Sequence, residues 1–417
     1  MKIYDWIVVG GGIAGISLSE ILTREGHSVA LVEKNSKLAS STSREFHEWV
    51  HTGSLYTLLK DDMKTLKYIL GSLDDILEFY SSFKNMNLIP TVKGIKINKS
   101  NKPWFNSSYI NFKYRLKNRK FFLNWIYSVA RSVTLIEEIR NHDWLRRRAG
   151  ILDKVTVEYY LPILKFFFKL FITSDKFYEI QSTDFTTNSR SLLRDMITTS
   201  CKNGLDIFTN TELLKIVKND KYNVLNSSKG DFYAKNVVIS LGGELDKFSN
   251  VNVKKNYAPM VVVKNISDKT NSFVELDYFK DKCINIIRKS NTYGLIGGIS
   301  LKNKIDVEKY FNYMIQEHKK NNPEIEIIKK YVGVKNEISI KKENRNYLFH
   351  INSVQGYKNV WSAIPGKFTL SFSMAPEFYR IMYNKNPRKF FPTHEDNGEF
   401  SNLVEETIWE EHKKHTL

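Results

Sequence analysis

The sequence predicts an α/β fold organised around a Rossmann-like dinucleotide-binding domain. Three observations lead there. The stretch IVVGGGIAGISLSEILTREGHSVALVE (Ile7 to Glu33) reads as strand, helix and strand around closely spaced glycines. A second strand-turn-helix stretch, NVWSAIPGKFTLSFSMAPEFYRIM (Asn359 to Met382), turns on Gly366 and Lys367. The length of 417 residues, 42% of them hydrophobic, suffices for two domains with separate cores.

In chain order, YDWIVVG is a short, nearly all-apolar strand of the kind buried on both faces in a parallel sheet. Gly10, Gly12 and Gly15 then form G-x-G-x-x-G. The first permits a tight turn, the second a close approach of pyrophosphate to backbone, and the third packing of helix on strand. N–H groups of Ile13 and Ala14, at the positive end of the helix, face the phosphates. Glu33 closes the second strand, where a carboxylate can accept both hydroxyls of an adenosine ribose and would repel a 2′-phosphate. Lys34 follows it.

The unit does not by itself distinguish NAD from FAD. KLASSTSREFHEWVHTGSLYTLL (Lys37 to Leu59) comes next, where an NAD domain would usually continue with another crossover helix. Ser41, Thr42 and Ser43 offer short hydrogen-bond donors along the path of a flavin pyrophosphate and ribityl chain; an ordinary polar loop with a helix cap is the alternative reading.

ASSTSR followed by HTGSLY resembles the segment after the glycine turn in the D-amino-acid oxidase superfamily of FAD-dependent oxidoreductases. The similarity is greatest to its glycerol-3-phosphate dehydrogenase and L-2-hydroxyglutarate dehydrogenase branches. Their His-x-Gly-x-x-Tyr falls on His51, Gly53 and Tyr56, although Leu55 stands where the glycerol-3-phosphate branch has arginine. NSRSLLRDMITTSCKNGLDIFTNTELLKIV (Asn188 to Val217) and AKNVVISLGG (Ala234 to Gly243) resemble the return to the cofactor domain. YGLIGGIS (Tyr293 to Ser300) resembles a substrate-domain strand, and GKFT is close to the family's Gly-Lys-Leu-Thr-Thr.

The resemblance implies an α+β chain overall, with a Rossmann-like FAD-binding domain and a mixed-sheet substrate domain that carries a helical insertion. The FAD-binding domain is expected over 1–90, 183–247 and 344–417, and the substrate domain over 91–182 and 248–343. It extends the cofactor-binding set to Leu214, Gly242, Gly366, Lys367, Phe368 and Thr369. The Gly366–Lys367 turn also has a reason of its own, because its N–H groups and cation would stabilise the negative charge of a reduced flavin. A solvated surface lysine is the competing account of Lys367.

For catalysis, His51 is the candidate base, because an imidazole near neutral pKa can take a hydroxyl proton. His47 is second, four residues earlier on the same face if the segment is helical. Tyr56, Lys367 and Lys335 complete the candidate catalytic set. Lys335 stands in GVKNEI where the family has the arginine of Gly-Val-Arg-Pro; lysine lacks the bidentate fork, so glycerol-3-phosphate itself is disfavoured while an anionic substrate still suits the two lysines.

The expected function is oxidation of a CH–OH or CH–NH group of a small anionic molecule by hydride transfer to FAD, with oxygen or a quinone as electron acceptor. A flavin-binding protein without turnover, such as a redox sensor or partner subunit, and a flavoenzyme acting on a sugar nucleotide or RNA base are the alternatives. The formal charge of +18 is spread along the chain rather than gathered in one arm, which disfavours nucleic acid as a partner. Cys201 and Cys283 have neither metal-site nor redox-pair spacing, so no metal is expected. No leader precedes the first strand, which predicts a cytoplasmic protein. Residues 146–172, with Arg146, Arg147 and Arg148 ahead of LPILKFFFKLFI, read either as a core-packing helix or as a peripheral contact with the inner face of the membrane. That apolar run is too short and too charged to span one.

Overall fold

The computed structural model describes residues 1–51, 56, 64–91, 94–106, 112–116, 124–125, 127–128, 178–182, 184–219, 221–267, 272–277, 282–338 and 349–414. Gly53, Leu55, the boundary positions 183 and 344, and the whole segment Ile136 to Asp175, with its arginine cluster and aromatic run, lie outside the described residues.

Two large sheets organise the chain. The first has eight strands. At its centre β1 (Ile3–Val9) lies parallel to both β2 (Val29–Val32) and the strand Gly230–Ile239, with α1 (Ile13–Arg24) as the crossover between β1 and β2. Leu205–Phe208 extends the sheet beyond β2, Val360–Ile364 pairs parallel with Gly230–Ile239, and an antiparallel hairpin, Leu213–Lys218 and Asn223–Ser227, joins its far side. Burial on both faces explains the unbroken apolar runs. Trp6 and Val8 of β1 and Val29 and Leu31 of β2 face α1 and its neighbours, while Ile7, Val9, Ala30 and Val32 enter a second core with Leu213, Leu225 and Leu245.

The second sheet has seven strands in the order 326–338, 253–264, 294–298, 282–288, 273–277, 112–116 and 178–182. It is antiparallel except where Phe273–Asp277 meets Phe112–Leu116. This is the mixed sheet that the resemblance implied. Its outer face, including Val261, Val263, Ile284, Ile286 and Ile296, packs on Val307, Phe311 and Met314 of the helix Lys304–Asn321. The opposite face presents one cross-strand row, Tyr331, Met260, Gly297, Asn285, Val274 and Tyr114, set by the pairing register.

His47 lies on this row, at Gly297, and Phe46 lies beside it at Gly333; both come from the segment that follows β2. A β-carbon on Gly297 would come within 2.4 Å of the His47 ring, and one on Gly333 within 3.0 Å of Phe46. Two glycines thus let the cofactor-side segment seat against the second sheet. Among the described residues no helix is long and apolar enough to cross a membrane.

Candidate active site and cofactor cleft

The glycine turn is dictated by packing. Gly10 has φ +105°, and a β-carbon there would stand 2.6 Å from the Ser240 carbonyl oxygen. At Gly15 the added carbon would lie 1.8 Å from the Gly10 oxygen, so α1 can start this close to the sheet only without a side chain. Gly12 differs, because the nearest atom to its absent β-carbon is Ser43 Oγ at 3.4 Å. Its role is to leave the approach to the helix N-terminus open. No side chain of Gly12 caps α1, and the Ile13 N–H donates to Ser43 Oγ at 3.0 Å.

Glu33 lies at the C-terminal end of β2, 8% exposed, and accepts the Gly11 N–H at 2.6 Å and the Asn35 backbone and amide N–H groups at 2.8 and 2.7 Å. Beside it is a small, shallow cleft walled by Val9, Val32, Leu213, Leu241 and Phe248 and rimmed by Lys34, which pairs with Glu244. Apolar walls next to Glu33 offer a surface for the edge of an adenine, and the N-terminus of α1, outside this cleft, is the place for phosphate. The Leu214 side chain is 59% exposed, while the neighbouring Leu213 faces inward and lines the cleft, at an irregularity in the pairing between Leu213 and Lys215. Gly242, at φ +54°, opens the turn that carries Glu244.

The hydroxyl-rich turn is α2 (Thr42–Glu45), and its residues divide their work. Ser43 reaches the phosphate turn, Thr42 donates to the Val334 carbonyl at 3.0 Å and accepts from Asn336 at 3.0 Å, and Ser41 stands exposed. Beyond Gly366, at φ +67°, Phe368 and Thr369 lead into the helix Ser371–Tyr383, with Thr369 buried.

The catalytic candidates come together. The His51 ring lies 5.2 Å edge-on from Tyr56, and Lys367 Nζ stands 4.8 Å over the same Tyr56 ring. Lys335 Nζ lies 5.4 Å over Phe46. Burial pushes the His51 imidazole down to about 4, with Lys367 and Lys335 adding to the effect and Asp184 opposing it. His51 is therefore neutral at pH 7. Its Nδ1 lies 3.4 Å from Asp184 Oδ2, which also accepts from Trp49 Nε1 at 2.9 Å and Tyr114 Oη at 2.6 Å. With Nδ1 turned to this carboxylate, the proton belongs there and Nε2 is the basic nitrogen.

Asp184, Tyr114 and Trp49 were missed by the sequence reading. Asp184 is 133 positions from His51, and no motif links them. Asp184→Asn is expected to lower kcat about tenfold or more by loosening the imidazole, with a smaller change in KM. Steady-state kinetics checks it, and an unchanged kcat would deny Asp184 this role.

His47 is buried and pushed down to about 3 by burial first and then by Lys289, Lys335 and His51, which leaves it an uncharged ring on the second sheet. His318, buried behind the same sheet, is lowered to about 4. The linkage sign follows: an unfolded histidine takes up its proton near 6.5 and these folded ones do not, so stability falls as pH drops from 6.5 towards 4. Thermal unfolding across that window is expected to show a falling Tm. The buried carboxyls of Glu20, Glu45, Asp195 and Glu410, raised by burial, act in the opposite sense, so the decisive comparison is His318→Gln, in which the fall should be smaller. An equal fall would deny His318 this effect.

The family profile described as DAO, FAD dependent oxidoreductase, matches residues 5–364, most of the chain. Among solved structures, L-alpha-glycerophosphate oxidase from Mycoplasma pneumoniae with FAD bound is 17% identical with a TM-score of 0.62, covering 98% of this chain and 100% of that one. An L-amino acid deaminase from Proteus vulgaris, with its specific insertion deleted, is 14% identical with a TM-score of 0.63 over 93% and 91%. Glycine oxidase from Geobacillus kaustophilus is 13% identical with a TM-score of 0.60 over 97% and 98%. No curated protein sequence matches the chain. At these identities the neighbours establish the fold, and the family profile establishes descent. The chain belongs to the DAO family, and is an FAD-dependent oxidoreductase.

Proposed function

We propose that this enzyme oxidises a CH–OH or CH–NH group of a small anionic molecule, with His51 taking the proton from the heteroatom. The carrying observation is a neutral imidazole, backed by Asp184, in the field of Lys335 and Lys367. FAD supplies the two-electron acceptor for the hydride. Gly10, Gly12, Gly15, Ser43 and Glu33 would hold its phosphates and ribose, and the Gly366–Lys367 turn would face its ring.

The residues divide the remaining work. Lys335 and Lys367 attract the substrate anion and lower the cost of an alkoxide forming nearby. Tyr56 packs between His51 and Lys367 and excludes water from their gap. His51 Nε2 receives the proton, and Asp184 offsets the charge the ring then carries. The base must be unprotonated, so kcat/KM is expected to rise through about pH 4 and level off above it. With a hydroxy acid as substrate, a pH–rate profile still climbing steeply above pH 7 would sink the assignment.

An absorbance spectrum followed by anaerobic addition of glycerol-3-phosphate, 2-hydroxyglutarate and a D-amino-acid mixture tests the reading. Bleaching by one of them would identify the substrate class. A flavin that stays oxidised with all three would count against a small hydroxy or amino acid substrate. Oxygen or a membrane quinone is the proposed acceptor, and peroxide release on turnover distinguishes them.

A further inference from the structure

The family match ends at Ile364, and the chain beyond the helix Ser371–Tyr383 runs back to the cofactor side of the molecule. Its last stretch lies on the residues that wall the phosphate turn. Leu38 donates its N–H to the Leu403 carbonyl at 2.7 Å, Glu405 donates to the Leu38 carbonyl at 2.9 Å, and Val404, 2% exposed, forms a parallel bridge with Leu38. Leu38 abuts Gly11, where an added β-carbon would meet its Cδ2 at 2.5 Å, and Ala39 N–H donates to the Gly11 carbonyl at 2.8 Å.

Two further ties reach the same wall. Buried Arg190 donates to the Ser43 carbonyl at 2.7 Å and to the Glu405 carbonyl, while Ser43 Oγ accepts the Ile13 N–H. The second tie is Trp409 in the helix Ile408–Lys414, whose Nε1 donates to Glu48 Oε2 at 3.1 Å. Glu48 is buried, has φ +54°, and pairs with Lys289 at 2.6 Å. A non-glycine residue in that conformation persists only where its surroundings hold it.

We propose that residues 403–411 form a clamp that completes the FAD phosphate site by holding segment 37–48 against Gly11 and Ile13. The segment has little order of its own. α2 is a single turn with no buried residue and no side-chain cap. Val334, Asn336, Ser189 and Lys289 also hold Thr42, Glu45 and Glu48, so the clamp adds to these contacts. Without it the segment would be placed less firmly, and affinity would weaken by the fraction of time it is misplaced. The pairs Arg44–Glu411 and Lys37–Glu405, each with one solvent-exposed partner, contribute less. The buried Val404, Arg190 and the Trp409–Glu48 contact carry the effect, so Trp409 is the residue to change.

The test is FAD titration of full-length apoprotein by quenching of flavin fluorescence, with hydrogen exchange of the folded apoproteins as a second readout. Trp409→Ala is expected to raise the Kd for FAD about tenfold or more. Trp409→Phe, which keeps a ring but lacks the indole N–H, should raise it about threefold. In either variant exchange should quicken across 37–48 and stay unchanged in β1. Kd values within about twofold of the wild type, or unchanged exchange across 37–48, would overturn the clamp. Should Trp409→Ala fail to fold, Trp409→Phe decides by the same two measurements. A wild-type chain that bound no FAD would instead refute the cofactor, and the exchange comparison would still judge the clamp.

Discussion

His51→Asn is expected to lower kcat by about 10² to 10⁴ while leaving the flavin spectrum and FAD affinity unchanged. Asparagine is close to the imidazole in its near half and can still face Asp184, so the buried carboxylate keeps a partner. What disappears is the basic Nε2. A ring that merely packed beside the flavin would show the opposite pattern, with altered binding and spectrum and little change in turnover. The comparison becomes sharper above pH 7, where the wild-type imidazole is fully unprotonated and no titration of His51 blurs the ratio. A drop of less than about tenfold would remove His51 as the base and turn attention to an amine substrate, which can lose hydride from its neutral form without one.

Gly15→Ala is expected to abolish FAD binding and to destabilise the apoprotein by roughly 3 kcal/mol. The added carbon would lie 1.8 Å from the Gly10 oxygen and 2.9 Å from Ser240 Oγ, and the closest atom is backbone in the turn itself. Either α1 withdraws from the sheet or the turn unwinds, and both displace the N–H groups meant for phosphate. Gly12→Ala provides the contrast. Its β-carbon has only Ser43 Oγ within reach, at 3.4 Å, so the fold should survive while pyrophosphate approach is blocked. Thermal unfolding of both apoproteins together with FAD titration checks the pair. Equal Tm losses for the two variants would contradict this division of roles.

Much of the cofactor side was legible in the chain, and the reason is locality. β1, α1, β2 and Glu33 occupy consecutive residues, and Gly10 and Gly15 are required by neighbours a few positions away or by the strand directly beside them. The strand Leu213–Lys218 is less legible. A leucine pair offers two candidates, and only the irregular pairing between Leu213 and Lys215 turns Leu213 and Ile216 inward and leaves Leu214 outward. In the Ser/Thr-rich turn, three hydroxyls looked equivalent, yet Ser43 alone among them bonds the phosphate turn because Thr42 is engaged by the second sheet.

The sequence by itself determined a βαβ dinucleotide unit, its acid, its hydroxyl-rich turn and the family these resemble, since apolar period and glycine sterics act over a few residues. Only the tertiary structure decided what surrounds His51. Asp184, Tyr114, Lys335 and Lys367 come from distant parts of the chain, and their meeting depends on how the two sheets are registered and packed. The same holds for the C-terminal stretch on Leu38 and Glu48, whose residues carry no periodic or motif signal. A proton acceptor's strength is set by burial and by charges within a few ångströms, and those are properties of the folded arrangement rather than of residue order.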